Sequence, residues 1–161
     1  EKWNDWDNDL FDQIVNSLMK KVKEFHYTIK GYDKAPSAVS KAKDNIRNAN
    51  LEDYISIAED NFFDTEKNSQ GKLHMVFNPP YDERLDIHME EFYKNIGDTL
   101  KKSYPGTNAW FITANLEALK FVGLKPSRKI KLFNASLEAR LVKYEMYEGS
   151  KRTKFQVADK D

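Results

Sequence analysis

Helical and strand-like patterns alternate along this chain, and that alternation limits its possible folds more than any other feature. Apolar residues over 9–24 recur at helical spacing, and a short β-prone run then ends at Asp33. Pro36 marks the start of a second helix, and strand-like runs follow at 54–58 and 73–77. Strands separated by helices predict an α/β fold with a mostly parallel sheet covered on both faces.

The second half of the chain continues the pattern and then changes it. Apolar residues from Met89 to Leu100 predict an amphipathic helix, which Pro105 and Gly106 end. A strand over 109–113 and a short helix over 116–121 follow. Two runs at 129–133 and 137–147, joined by a tight connection, predict an antiparallel C-terminal hairpin.

Length and composition exclude several classes of protein. The 161 residues, 40% of them hydrophobic, fit one domain with a single core. The absence of cysteine excludes disulfides, thiolate metal sites and cysteine nucleophiles. Because no apolar run is long enough to span a bilayer and the start resembles no signal peptide, we expect a cytoplasmic protein without a membrane partner.

Charge is distributed unevenly, although the formal net charge is zero. Between positions 120 and 154, lysine and arginine far outnumber glutamate. This basic segment is either a nucleic-acid-binding face or a solvated hairpin with ordinary lysines, and the sequence leaves both interpretations open.

Acidic and amide side chains follow the ends of the first two predicted strands. Asp33 ends the first, where a carboxylate can accept hydrogen bonds from both hydroxyls of a ribose. Asp60 and Asn61 follow the second, where an oxygen could meet an adenine amino group. A single acid at such a place is also typical of a helix cap or a turn.

The most specific motif is Asn78-Pro79-Pro80-Tyr81, directly after an apolar strand. The prolines fix the backbone and remove two amide donors, so nearby carbonyls remain able to accept hydrogen bonds. The Asn78 side-chain oxygen and the Pro79 carbonyl could hold both protons of an aromatic amine, and Tyr81 could stack on the base for about 1–3 kcal/mol. No metal is required. The alternative is a rigid turn with a buried tyrosine, which the order of elements disfavours.

At this point the chain resembles class I methyltransferases that modify amino groups, and within them the bacterial 23S ribosomal RNA guanine-N2 methyltransferases. The resemblance covers nearly the whole chain. It rests on four stretches: Trp3-Asn4-Asp5-Trp6-Asp7, Ala38-Val39-Ser40-Lys41-Ala42-Lys43-Asp44-Asn45, Asn78-Pro79-Pro80-Tyr81-Asp82-Glu83-Arg84-Leu85 and Lys131-Leu132-Phe133-Asn134-Ala135-Ser136-Leu137-Glu138.

The resemblance implies a Rossmann-like class I methyltransferase fold, S-adenosylmethionine as cofactor and guanine N2 of 23S ribosomal RNA as target. It implies that Asp33 binds the cofactor ribose, with Lys34 and Ala35 flanking the adenine. Asp60 or Asn61 would meet the adenine amino group, and residues 78–81 would hold the target base, with Asn78 also at the cofactor.

Two departures from the family pattern shape the expected domain organisation. Asp82 stands where family members usually have glycine, and the glycine-rich cofactor loop that should precede Trp3 is absent. We therefore expect residues 1–161 to be part of a catalytic domain that lacks its first strand, with an RNA-binding THUMP domain upstream in the full-length protein. Loss of that strand should leave two strands with unpaired edges and weaken cofactor binding by the isolated fragment.

Other functions remain open at this stage. The same four residues would hold adenine N6 in DNA equally well, or the amide of a protein glutamine. An inactive RNA-binding module would also explain the absent glycine loop and the basic segment. His26, His74 and His88 lack metal-ligand spacing, and no serine has a nucleophile-elbow context.

Overall fold

A computed structural model describes residues 4–80 and 88–148. The chain divides between Glu59 and Asp60 into two compact units. The prediction of a single domain over 1–161 therefore stays a prediction, and the two units are described in turn.

The first unit contains α1 (Asn8–Met19), β1 (Ile29–Asp33), α2 (Pro36–Asn48) and β2 (Ile55–Glu59). The Asp7 side chain caps α1 by accepting a hydrogen bond from the Leu10 amide at 3.0 Å. Pro36 begins α2, as predicted. The two strands are parallel and in register from Ile29 opposite Ile55 to Asp33 opposite Glu59.

The end of the first helix was predicted wrongly. The helix expected over 9–24 ends at Met19, because the Lys21 and Val22 amides bond three residues back, which tightens and ends the last turn. In α2, Val39 is the buried residue, and Ala49 is exposed at the C-cap. The apolar stripe of α1 remains 36–64% exposed from Leu10 to Met19.

The second unit begins with a 3₁₀ helix (Phe62–Asp64). It continues with β3 (Leu73–Phe77), α3 (Met89–Ser103), β4 (Thr107–Thr113), a second 3₁₀ helix (Ala118–Val122), β5 (Arg128–Asn134) and β6 (Leu137–Glu145). The strand order is β3-β4-β6-β5. β3 and β4 are parallel, whereas β6 is antiparallel to both β4 and β5. The predicted hairpin is confirmed, but the helix expected over 116–121 is the second 3₁₀ helix.

The core of the second unit lies between α3 and the sheet. Tyr93, Ile96 and Leu100 of α3 are at most 1% exposed, and they pack with Phe111 and Tyr144. The Phe111 and Tyr144 rings stack with centroids 5.5 Å apart. α3 therefore covers one face of the four-stranded sheet.

β1 and β3 each lie at an edge of their sheet in the described part of the chain. Within residues 4–80 and 88–148, β1 pairs only with β2, and β3 pairs only with β4. Each of these two strands thus has one edge without a partner strand in that part of the chain. No helix there is long and apolar enough to cross a membrane.

Candidate active site

The strand order of the second unit brings several polar segments to one edge of its sheet. β3 and β4 run in the same direction, so their carboxyl ends share that edge. β6 runs the opposite way, and its Arg140 pairs with Thr113 at the end of β4. The residues that follow β3 therefore lie at the edge where α/β sheets usually bind ligands.

The predicted motif follows β3 directly. Asn78 is exposed, Pro79 is buried and Pro80 is half-buried, while Tyr81 and Asp82 lie outside the described residues. Burial anchors Pro79, and a proline has no amide hydrogen to donate. The arrangement presents an exposed amide side chain from a fixed backbone at the carboxyl ends of β3 and β4.

A buried polar network that the sequence analysis missed holds the end of β4. The hydroxyls of Tyr93 and Thr113 lie 2.5 Å apart, and Thr113 Oγ1 also accepts a hydrogen bond from the Asn115 amide at 3.0 Å. Asn115 Oδ1 in turn accepts from the Ala118 amide at 3.0 Å. Thr113 and Asn115 at the end of a strand could have predicted the turn. The contact of Thr113 with Tyr93, 20 positions away, could not be predicted from the sequence.

Asp33 occupies the carboxyl end of β1, as predicted. Its side chain is exposed, and Oδ1 accepts a hydrogen bond from the Ala35 amide at 2.8 Å. Lys34 is exposed, and Ala35 is the half-buried N-cap of α2. Asp33 therefore forms a turn. That turn uses only its Oδ1, so Oδ2 is not required for the turn. Asp33 belongs to the first unit and Asn78 to the second, so their meeting at one cofactor stays a prediction.

Asp60 and Asn61 differ in how their side chains are used. The Asn61 oxygen accepts from the Phe63 amide at 3.4 Å, and its nitrogen donates to Asp64 at 2.6 Å, so it caps the first 3₁₀ helix. Asp60 is exposed and accepts only from the Asn61 amide, at 2.8 Å, among the described residues. Asp60 is thus the better placed of the two to meet a ligand.

Charged side chains of the hairpin set the electrostatics beside Thr113. Glu138 forms ion pairs of 2.6 Å with both Lys131 and Arg140. The Lys131 hydrogen bond chiefly lowers the Glu138 pKa, Arg140 adds to this, and partial desolvation opposes it. Nowhere in residues 4–80 and 88–148 do three histidine, aspartate or glutamate side chains group in a way that could hold a metal ion.

Comparison with known families gives one extended match. Residues 6–143 match the model described as "RMKL-like, methyltransferase domain". A ribosomal RNA large subunit methyltransferase K/L of Methylococcus capsulatus is 34% identical over 120 residues, 73% of this chain and 16% of its own length. The chain spans between 16% and 39% of the length of the curated relatives it matches.

Solved structures share the fold. SMU.472, a protein assigned as a methyltransferase and solved with SAH bound, superposes with a TM-score of 0.79 at 24% identity, over 93% of this chain and 40% of its own. A predicted N6-adenine-specific DNA methylase from Listeria monocytogenes gives a TM-score of 0.62 at 26% identity, over 73% of this chain and 30% of its own. The expected class I methyltransferase fold is therefore confirmed.

The family match covers most of the chain, and it extends from α1 into β6 and includes the Asn78-Pro79-Pro80 segment after β3. This chain belongs to the RMKL-like methyltransferase domain family.

Proposed function

We propose that this chain is part of an S-adenosylmethionine-dependent enzyme that methylates the amino group N2 of a guanine in 23S ribosomal RNA. The observation that carries the proposal is the exposed Asn78 amide at the carboxyl ends of β3 and β4, beside the buried Pro79. The family match supports the reaction class, and the names of the relatives support the substrate.

The chemistry of the substrate explains why these residue types are needed. The lone pair of an exocyclic amine is delocalised into the base, so the amine is a weak nucleophile. Asn78 Oδ1 and the Pro79 carbonyl can accept its two hydrogens and hold the nitrogen out of conjugation. Catalysis by these residues consists of positioning and electrostatic stabilisation, because neither of them exchanges a proton at neutral pH.

The residues that would hold the cofactor fit its polar groups. The Asp33 carboxylate at the end of β1 suits the two ribose hydroxyls, and Lys34 and Ala35 follow it at the start of α2. Asp60 suits an adenine amino group better than Asn61, whose amide caps a 3₁₀ helix. When bound, S-adenosylmethionine supplies a methyl group on a positively charged sulfur.

Methylation of adenine N6 in DNA is the second candidate. It is favoured by one observation, the likeness to a predicted N6-adenine-specific DNA methylase, and an adenine amine offers the same two hydrogens to Asn78 and Pro79. The two candidates differ in the base and in the nucleic acid that must be bound.

The discriminating experiment incubates the intact protein and methyl-labelled S-adenosylmethionine with three substrates in parallel reactions. These substrates are unmodified 23S ribosomal RNA, unmethylated DNA and a protein extract. The proposal predicts label in N2-methylguanosine from the RNA alone. Label in N6-methyladenine from DNA would replace the proposal with the second candidate.

A further inference from the structure

A groove of about 670 Å³ lies in the second unit, between the second 3₁₀ helix and the β5–β6 hairpin. Leu119 and Leu124 are among the apolar residues that line it, and no aspartate or glutamate is among the described residues that line it. The volume is within the range of small-ligand sites, which is about 300–1,000 Å³. Four cationic side chains line it: Lys120, Lys125, Lys129 and Arg140.

These four cations are not equally neutralised. Lys120 pairs with Glu117 at 3.1 Å, and Arg140 pairs with Glu138 at 2.6 Å. Lys125 and Lys129 are exposed and form no ion pair with any described residue. Two uncompensated positive charges beside an acid-free groove are a favourable environment for a polyanion.

An exposed aromatic ring continues the basic surface along β5. Lys129, Lys131 and Phe133 alternate along the strand and share one face. Phe133 is 64% exposed, and the Lys131 ammonium lies 5.0 Å from its ring centroid. Cations that follow a phosphate backbone, combined with a ring on which a base can stack, are typical of proteins that bind single-stranded nucleic acid.

The groove lies close to the candidate active site across the same sheet. Phe77, Phe111, Val142 and Lys129 are paired in one row across β3, β4, β6 and β5. Three strand spacings of about 4.8 Å separate Phe77 from Lys129, or roughly 14 Å. Asn78 directly follows Phe77. A single-stranded nucleic acid whose target base reached Asn78 would therefore extend to the groove within a few nucleotides.

We propose that this groove binds the phosphate backbone of the single RNA strand next to the target base, through Lys125, Lys129 and Arg140, with Phe133 stacking on a flanking base. The proposal rests on the proposed function for the identity of the polyanion. It assigns a role to the basic hairpin, which the sequence alone left open between a nucleic-acid face and a solvated surface.

The groove proposal is tested by the binding of a fluorescein-labelled single-stranded RNA to the intact protein. Fluorescence anisotropy measures the affinity without cofactor over about 50–200 mM salt. For single strands each phosphate contact contributes about 0.7 to the salt slope, or roughly a factor of four at 150 mM. Lys125→Gln/Lys129→Gln should therefore weaken binding about fifteenfold and lower the slope by about 1.4. The matched control, Lys94→Gln/Lys102→Gln, removes the same charge from exposed positions of α3 and should bind as the unsubstituted protein does.

A second variant predicts a gain rather than a loss, so misfolding cannot imitate it. Glu138 neutralises both Lys131 and Arg140, and Glu138→Gln should raise RNA affinity at least about fourfold. Equal weakening by the groove and control variants, or an unchanged affinity for Glu138→Gln, would overturn the proposal. Two readouts separate this proposal from the proposed function. RNA binding that depends on the groove residues, without methyl transfer, would support the groove and refute the activity. Methyl transfer by a protein whose RNA binding does not depend on the groove residues would support the activity and refute the groove.

Discussion

Replacing Gly97 with alanine should destabilise the protein, although the same change stabilises most helices. Gly97 lies in the middle of α3 and is buried against the second 3₁₀ helix. A Cβ at this position would lie 1.8 Å from the carbonyl oxygen of Val122 and 2.8 Å from its carbonyl carbon. The nearest atoms belong to backbone, so no side-chain rotation can relieve the contact.

The size of the effect follows from two opposing contributions. Alanine is favoured over glycine within a helix by about 1 kcal/mol. Against this, the Val122 backbone must move by more than about 1 Å, which places the cost of overpacking at or above the upper end of its usual range of about 1–3 kcal/mol. We expect a net loss of roughly 2 kcal/mol in the free energy of unfolding, which lowers Tm by about 4–8 °C for a domain of roughly 150–250 residues.

Thermal unfolding of the intact protein, followed by circular dichroism, measures this change. Asn95→Ala is the matched control, because it introduces alanine at an exposed position of the same helix and should leave Tm unchanged or slightly raised. If Gly97→Ala melted at or above the temperature of the unsubstituted protein, the close packing of α3 on the second 3₁₀ helix would be refuted.

Three further predictions concern buried or ligand-binding polar groups. Burial, with a smaller contribution from Tyr93, raises the pKa of Tyr144 to about 12. The free energy of unfolding should therefore be full below about pH 10 and fall as pH rises toward 12. In urea titrations Tyr144→Phe should flatten that fall and cost nothing at pH 7, because the hydroxyl has no hydrogen-bond partner among the described residues. A double-mutant cycle of Tyr93→Phe and Thr113→Val should give a coupling of about 1 kcal/mol in urea unfolding, and additive losses would contradict the 2.5 Å bond. Asp33→Ala should weaken S-adenosylmethionine binding about 10- to 100-fold in calorimetry, because hydrogen bonds to a charged group are worth about 1.5–3 kcal/mol. The control Asp44→Ala on α2 should leave the affinity unchanged. Equal affinities of the two variants would remove Asp33 from the cofactor site.

The elements that the sequence predicted best are those whose limits are local. β3 begins and ends where predicted, because an apolar run is followed directly by Asn78 and two prolines. Pro36 likewise marks the start of α2. The end of α1 was missed because Val22 continues the helical spacing of apolar residues, whereas the Lys21 and Val22 amides bond to carbonyls three residues back, which no periodicity reveals.

The candidate site was predictable where one motif carries the chemistry and not where distant segments meet. The position of Asn78 at the sheet edge follows from its place after β3. The contact of Tyr93 with Thr113 and the nearness of Arg140 to that edge depend on strand order and helix packing, so the sequence could not show them. Asn61 appeared equivalent to Asp60 until its amide was seen to cap a 3₁₀ helix.

The most direct test of the central claim is methyl transfer by intact Asn78→Ala protein to unmodified 23S ribosomal RNA. The measurement is labelled N2-methylguanosine per enzyme, with Asn95→Ala as the control for loss of an exposed asparagine elsewhere in the second unit. Loss of one preorganised hydrogen-bond acceptor should lower the rate about 100- to 1,000-fold, with RNA binding unchanged. Transfer by Asn78→Ala at the rate of the control would contradict the account, because the segment after β3 would then not hold the reacting amine.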